Sequence, residues 1–118
     1  MGFFSRFRQP TVNAAEAIEL VSGGATLLDV RENNEWNAGH APGAVHIPLS
    51  QVPAQAARRL PKGRQVIVVC RSGSRASSAA ATLRSAGIEA VNLKGGMRAW
   101  ESAGGRLVGK GNRPGVVA

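Results

Sequence analysis

The sequence predicts an α/β domain, with a mainly parallel central sheet flanked by helices on both faces. Three observations carry this expectation. Strand-like and helix-like segments alternate along the chain, the pattern of a layered fold whose strands run the same way. The segment Gln65 to Cys70 (QVIVVC) sets four apolar β-formers in a row, as a parallel strand covered on both faces requires. And 118 residues suffice for one compact domain but not for two ordinary ones.

Each element has its own signal. Asn13 caps a helix and Glu16, three residues on, closes a capping box. Ala17, Ile18 and Val21 recur at helical spacing, and Gly23-Gly24 stops the helix. Ala25 to Val30 (ATLLDV) is a short apolar run and predicts a buried strand. Arg31 to Ala38 is a short polar helix or turn carrying Trp36, and Gly39 to Gly43 (GHAPG) is turn chemistry. Ala44 to Ile47 is a brief strand ended by Pro48. Ser50 is the expected cap of a helix running toward Leu60, with Pro53 in its first turn. Pro61-Lys62-Gly63 is a turn, followed by the Gln65 to Cys70 strand. The stretch from Arg75 to Ala86 has high helix propensity, with Gly87 past its end. Ala90 to Leu93 is another strand, and Gly95 to Ala103 a last helix carrying Trp100. The resulting division is an N-terminal arm over 1–11, a domain over 12–104 and a Gly-rich C-terminal extension over 105–118.

Composition narrows the function classes. Hydrophobic residues at 43% and charged residues at 19% fit a folded protein rather than a disordered one. No apolar run approaches the roughly 20 residues of a membrane-spanning helix, so no membrane span is expected. The arm sets Phe3, Phe4 and Phe7 among Arg6 and Arg8, without the apolar stretch of a signal peptide. One cysteine rules out an intramolecular disulfide and a Cys-rich metal site, which makes a reducing, cytoplasmic location the expectation. The net charge of +8 attracts anions without choosing among them. Aromatics are only 4%, Tyr is absent and no recognition motif is visible, so specific nucleic-acid binding is not expected.

The chemistry concentrates at Cys70-Arg71-Ser72-Gly73-Ser74-Arg75, between a buried strand and a helix. In open α/β sheets, ligands bind beyond the carboxyl ends of strands. A loop there can turn its N–H groups inward, and the following helix adds free N–H groups and partial positive charge. Gly73 permits a backbone angle that a larger residue resists. The result is an anion-binding nest with a sulfur at its base, and Arg71 and Arg75 add two permanent charges. Such surroundings favour the thiolate. A lone cysteine at the end of an apolar strand is usually a small core residue. The loop behind this one reverses that reading.

Four stretches resemble the rhodanese family. They are Leu28-Asp29-Val30-Arg31 with Glu35; Gly39-His40-Ala41-Pro42-Gly43-Ala44 leading to Ile47-Pro48; the Cys70 loop, similar to the form C-R-x-G-x-R; and Gly95-Gly96 with Trp100. The resemblance covers about Val12 to Gly104. It implies a rhodanese-like α/β fold and a single-domain thiosulfate sulfurtransferase. The sulfur would pass from a small anionic donor such as thiosulfate, through a persulfide on Cys70, to a thiophile: cyanide in an assay, a thiol or sulfur-acceptor protein in the cell. Cys70 is then the nucleophile, and the backbone over Arg71, Ser72, Gly73, Ser74 and Arg75 holds persulfide and substrate. No metal and no cofactor beyond the covalent persulfide is implied.

Asp29, Arg31 and His40 are supporting candidates. Asp29 and Arg31 are expected to form a structural ion pair, and His40 to play a structural or rim role, since a thiolate in a nest needs no dedicated base. His46 is expected to be a hydrogen-bonded packing residue, and Trp36 and Trp100 to lie in the core. The enzyme alternative is a cysteine-dependent phosphatase, whose usual loop places five residues between Cys and Arg, where this chain has four. The alternative from another class is a non-catalytic rhodanese-like binding module, which a retained cysteine disfavours.

Overall fold

The computed structural model describes residues 10–118. In chain order the elements are β1 (Thr11–Val12), α1 (Ala14–Ser22), β2 (Thr26–Asp29), α2 (Asn33–Ala38), β3 (Val45–His46), α3 (Val52–Arg59), β4 (Val66–Val69), α4 (Ser74–Ser85), β5 (Ala90–Leu93) and α5 (Gly96–Ser102). Short 3-10 turns cover Leu49–Gln51 and Lys110–Asn112. The five strands form one sheet in the order β1-β5-β4-β2-β3, and every pairing is parallel. β4 is thus central, in register with β2 through Asp29 and Val69 and with β5 through Val68 and Asn92.

The sheet is buried on both sides because its strands are apolar at successive positions. Leu28, Val66 and Val68 face α3 and α4, where Val52, Ala56, Ala76, Ala79, Ala80 and Leu83 pack. Leu27, Ile67, Val69 and Leu93 face α1 and α5, where Ala14, Ala17, Met97 and Trp100 pack. All four residues of β4 are fully buried, and each Val or Ile so buried contributes about 1.5–3 kcal/mol. The alanines of α4 let its backbone lie close to the sheet, which brings the helix start against the end of β4.

Local chemistry explains most boundaries. Asn13 accepts from the Glu16 amide at 2.8 Å while the Glu16 carboxylate accepts from the Asn13 amide at 3.1 Å, the reciprocal box that opens α1. The expected cap at Ser50 is corrected. Leu49–Gln51 is a 3-10 turn after Pro48, α3 starts behind Gln51 without a side-chain cap, and Pro53 occupies its first turn. β1 was not predicted, and Thr11 falls in the expected arm. Two residues carry no periodicity, and this strand exists only through its pairing with β5. The Phe3, Phe4 and Phe7 stretch lies outside the described residues.

The C-terminal segment folds back over the domain as a strap. Val108 makes isolated antiparallel bridges to His40 and to Pro114. Gly105 lies against the Trp100 indole, where any Cβ would collide, and Leu107 and Val117 pack on the α1/α5 side of the core. Among the described residues no helix is long and apolar enough to cross a membrane.

Candidate functional site

Cys70 follows the last residue of the central strand, and the loop behind it leads straight into α4. Cys70 is 1% exposed, so its sulfur sits at the base of the loop. The Gly73 amide donates to Sγ at 3.0 Å. Gly73 takes φ +125°, a conformation L side chains rarely adopt, and it is this turn that aims the N–H at the sulfur. Ser74 then starts a 12-residue helix whose free amides and dipole favour negative charge at this end.

The loop is held from below by Gly96 and the first turn of α5. Gly96 sits at φ +62°, so close to the loop that a Cβ would collide with the carbonyl groups of Cys70 and Arg71. This approach lets the Met97 amide donate to the Cys70 carbonyl at 2.8 Å. Gly96 is therefore the footing of the cysteine loop, while Gly95, at φ +82°, leaves no room for a Cβ beside Ala99 of its own helix.

The two loop arginines have different fates. Arg75 is engaged by Glu35 of α2 through both terminal nitrogens, at 2.7 and 2.9 Å. Hydrogen bonding from Arg75 is the main cause holding the Glu35 carboxyl down at about 2, against an ordinary 4.5, and the Glu35 carboxylate in turn raises Arg75. Arg71 instead donates its Nε to the Ala118 main-chain oxygen at 2.6 Å. Ser72 on the loop and Ser74 at the start of α4 are exposed.

Asp29 and Arg31 lie at the end of β2, beside β4. Both are completely buried and joined at 2.7 Å from Arg31 Nη2 to Asp29 Oδ2, with Nε contacting both carboxylate oxygens. Nη2 also donates to the Gly39 carbonyl at 2.8 Å, so the pair braces the turn after α2. Arg31 Nη1 and Asn92 Oδ1 are buried without a partner among the described residues.

His40, Trp36 and His46 form one stack. The Trp36 indole stacks on both imidazoles, with ring centroids 3.7 and 4.6 Å away and planes nearly parallel. His40 Nδ1 donates to the Trp36 carbonyl at 2.8 Å, and His46 Nε2 donates to the Arg31 carbonyl at 2.7 Å. The main chain of His40 is paired with Val108. These contacts tie α2, the turn after it and β3 together. Trp36 is only half-buried, which corrects its expected place in the core, while Trp100 is 5% exposed and lies in it.

A cavity of about 410 Å³ lined by Ala56, Leu60, Lys62, Arg64 and Ile88 lies at the amino ends of β4 and β5, the opposite pole from Cys70. It has no part in chemistry at the sulfur. Two contributors to the cysteine site had no assigned role in the sequence. Glu35, 40 positions from Arg75, carried a motif match only, and the strap end at Ala118 carried no signal at all.

Comparison with known proteins comes down on one family. The family model for a rhodanese-like domain matches residues 13–103. YrkF of Bacillus subtilis (strain 168), named as a candidate sulfur carrier protein, is 41% identical over 75 residues, 63% of this chain and 40% of that protein. The chain thus spans well under half the length of that relative. YtwF of the same organism, named as a candidate sulfurtransferase, is 40% identical over 75 residues, 64% of this chain and 72% of that protein. The crystal structure of the rhodanese-related protein from Thermoplasma volcanium superposes with a TM-score of 0.77 at 29% identity, covering 84% of this chain and 97% of that one.

Proposed function

The chain belongs to the rhodanese-like domain family, and on that premise we propose that it is a thiosulfate sulfurtransferase working through a persulfide on Cys70. The observation that carries this reading is the Gly73 amide donating to Cys70 Sγ at 3.0 Å at the start of α4. An N–H aimed at the sulfur stabilises negative charge there, on the thiolate before transfer and on the leaving thiolate after it.

The first step is attack of the Cys70 thiolate on the sulfane sulfur of thiosulfate. A new S–S bond forms, the S–S bond of thiosulfate breaks, and its electron pair departs with sulfite. The negative charge of the nucleophile passes to the terminal persulfide sulfur. In the second step a thiophile attacks that sulfur, and Cys70 leaves as thiolate. Cyanide would yield thiocyanate; a cellular thiol would become a persulfide itself. With one cysteine in these 118 residues, the persulfide has no internal thiol to resolve it, so an outside acceptor is needed. The sulfur-carrier and sulfurtransferase names of YrkF and YtwF agree with a role in handing sulfur between partners. A reducing, cytoplasmic setting suits a catalytic free thiol.

The buried position of Cys70 suits a donor that presents a single terminal sulfur. A phosphatase reading gains nothing from the geometry. Its loop arginine would have to meet the phosphoryl group, and Arg75 already gives both terminal nitrogens to Glu35.

Intact-protein mass spectrometry after exposure to thiosulfate tests the reading. The expected result is a gain of one sulfur on the wild-type chain and none on Cys70→Ser, with normal folding of the variant. Sulfur gain retained in Cys70→Ser, or none in the wild type, would overturn it.

A further inference from the structure

Resting on the reading just given, we propose that the C-terminal strap is a positioning element for substrate: Val116 to Ala118 fix the Arg71 guanidinium so that its terminal nitrogens receive the anionic end of the sulfur donor.

The argument begins with which cation is available. A donor such as thiosulfate is a dianion, and its leaving group is a dianion too, so the site gains from a nearby guanidinium. Arg75 is committed to Glu35 by both terminal nitrogens. Arg71 is bound differently. Among the described residues only its Nε is used, by the Ala118 main-chain oxygen at 2.6 Å. Nε–H carries one of five guanidinium donors, so the terminal fork remains for a bidentate acceptor.

The strap end that accepts from Arg71 is itself fixed. Val108 and His40 exchange main-chain hydrogen bonds of 3.0 and 2.9 Å. The Val116 amide donates to the Ala38 carbonyl at 2.9 Å. Gly39 has no side chain where Val116 crosses it, and a Cβ there would collide with the Val116 main chain. Val117 packs on the core edge. A free arginine must lose rotamer freedom to bind an anion; one held at Nε by an anchored main-chain oxygen has already lost part of it. The strap thereby acts on the donor through Arg71 without touching the sulfur.

The test uses thiosulfate binding to the Cys70→Ser protein, measured by calorimetry, so that affinity is read without sulfur transfer. Sulfur gain on the wild-type chain is scored separately and judges only the catalytic reading. Val116→Pro removes the N–H that ties the strap to Ala38. It should weaken thiosulfate binding about three- to tenfold, and Arg71→Gln about ten- to a hundredfold. The double variant should be no weaker than Arg71→Gln alone, because the strap works only through that side chain. Arg71→Lys, which keeps the fold and the charge but has no fork, should bind close to Arg71→Gln. Additive losses in the double variant, unchanged or tighter binding in Val116→Pro, full affinity in Arg71→Lys, or no thiosulfate binding at all would each overturn the proposal.

Discussion

Gly96→Ala is the sharpest probe of how the cysteine loop is supported. At φ +62° the backbone alone costs an L residue about 1–2 kcal/mol. The new Cβ also overlaps the carbonyl groups of Cys70 and Arg71, which are main chain and cannot swing away as a side chain would. Overpacking of this kind adds about 1–3 kcal/mol, for a total of about 2–5 kcal/mol. A domain of this size loses about 4 °C of Tm per kcal/mol, so the variant should melt about 8–20 °C lower. Gly104→Ala is the control. Its φ is +91° with nothing within 4 Å of the built Cβ, so only the conformational part applies. That is about 1–2 kcal/mol, or about 4–8 °C. Calorimetric melts of both variants, with sulfur gain by mass spectrometry, separate the two costs. The chain can escape part of the clash only by shifting the Cys70 loop, in which case sulfur uptake falls instead. A Gly96→Ala protein that melts within the control range and takes up sulfur at the wild-type rate would refute the reasoning.

Glu35→Gln should lower stability by about 1 kcal/mol at neutral pH, the scale of a partly exposed ion pair with good geometry. Because the Glu35 carboxyl is held at about 2 rather than 4.5, its contribution is full above 4.5 and is lost as pH falls through 2. Urea titrations should therefore show a steady gap between wild type and variant at neutral and mildly acidic pH that closes toward pH 2; a gap independent of pH would contradict the pairing with Arg75. Asp29→Asn leaves the buried Arg31 charge without its carboxylate and should cost about 3–5 kcal/mol. Thermal unfolding checks this, and a loss below about 1 kcal/mol would show that the pair is not a brace. Gly73→Ala forces a side chain onto a φ of +125° and moves the N–H away from Sγ. Losing that charge-assisted bond, about 1.5–3 kcal/mol, should slow sulfur uptake about ten- to a hundredfold in stopped-flow assays with thiosulfate. An unchanged rate would mean that this amide does not serve the sulfur.

The legible parts of the fold were those whose cause is local. The Asn13/Glu16 box, the unbroken apolar run of β4 and the glycines past α1 and α4 each act within a few residues, and sequence spacing displays them. Ser50 misled because a capping residue and the 3-10 turn that replaced it have the same local composition, and Pro48 and Pro53 left the choice to the geometry of the β3 end. β1 was illegible because two residues have no pattern; its partner is Asn92 and Leu93, at the far end of the domain. At the site, the Cys70 loop, Asp29 and Arg31 could be picked out from motif and position. What could not be read is how the two arginines divide. Arg75 looks like Arg71 in the sequence, and only the contact with Glu35, 40 residues away, and that with Ala118, 47 away, tell them apart. Nor could a Gly-rich tail announce that it is pinned to the turn at Gly39, since its bonds there are mostly main chain.

The order β1-β5-β4-β2-β3 sets a schedule for folding. Parallel neighbours are joined through crossovers, and β1 meets β5 only when nearly the whole chain is in place, a topology that closes slowly. The protection of Cys70 depends on β4 lying beside its neighbours and on α5 arriving beneath the loop. Until then the residue is an ordinary accessible thiol on an unfinished chain. Among these 118 residues it has no second cysteine to capture it, so an oxidant present at that moment yields a covalent dimer or a mixed disulfide with a small thiol. Refolding yield under oxidising conditions is then a race between sheet closure and encounter with another thiol, and dilution favours the sheet over the dimer.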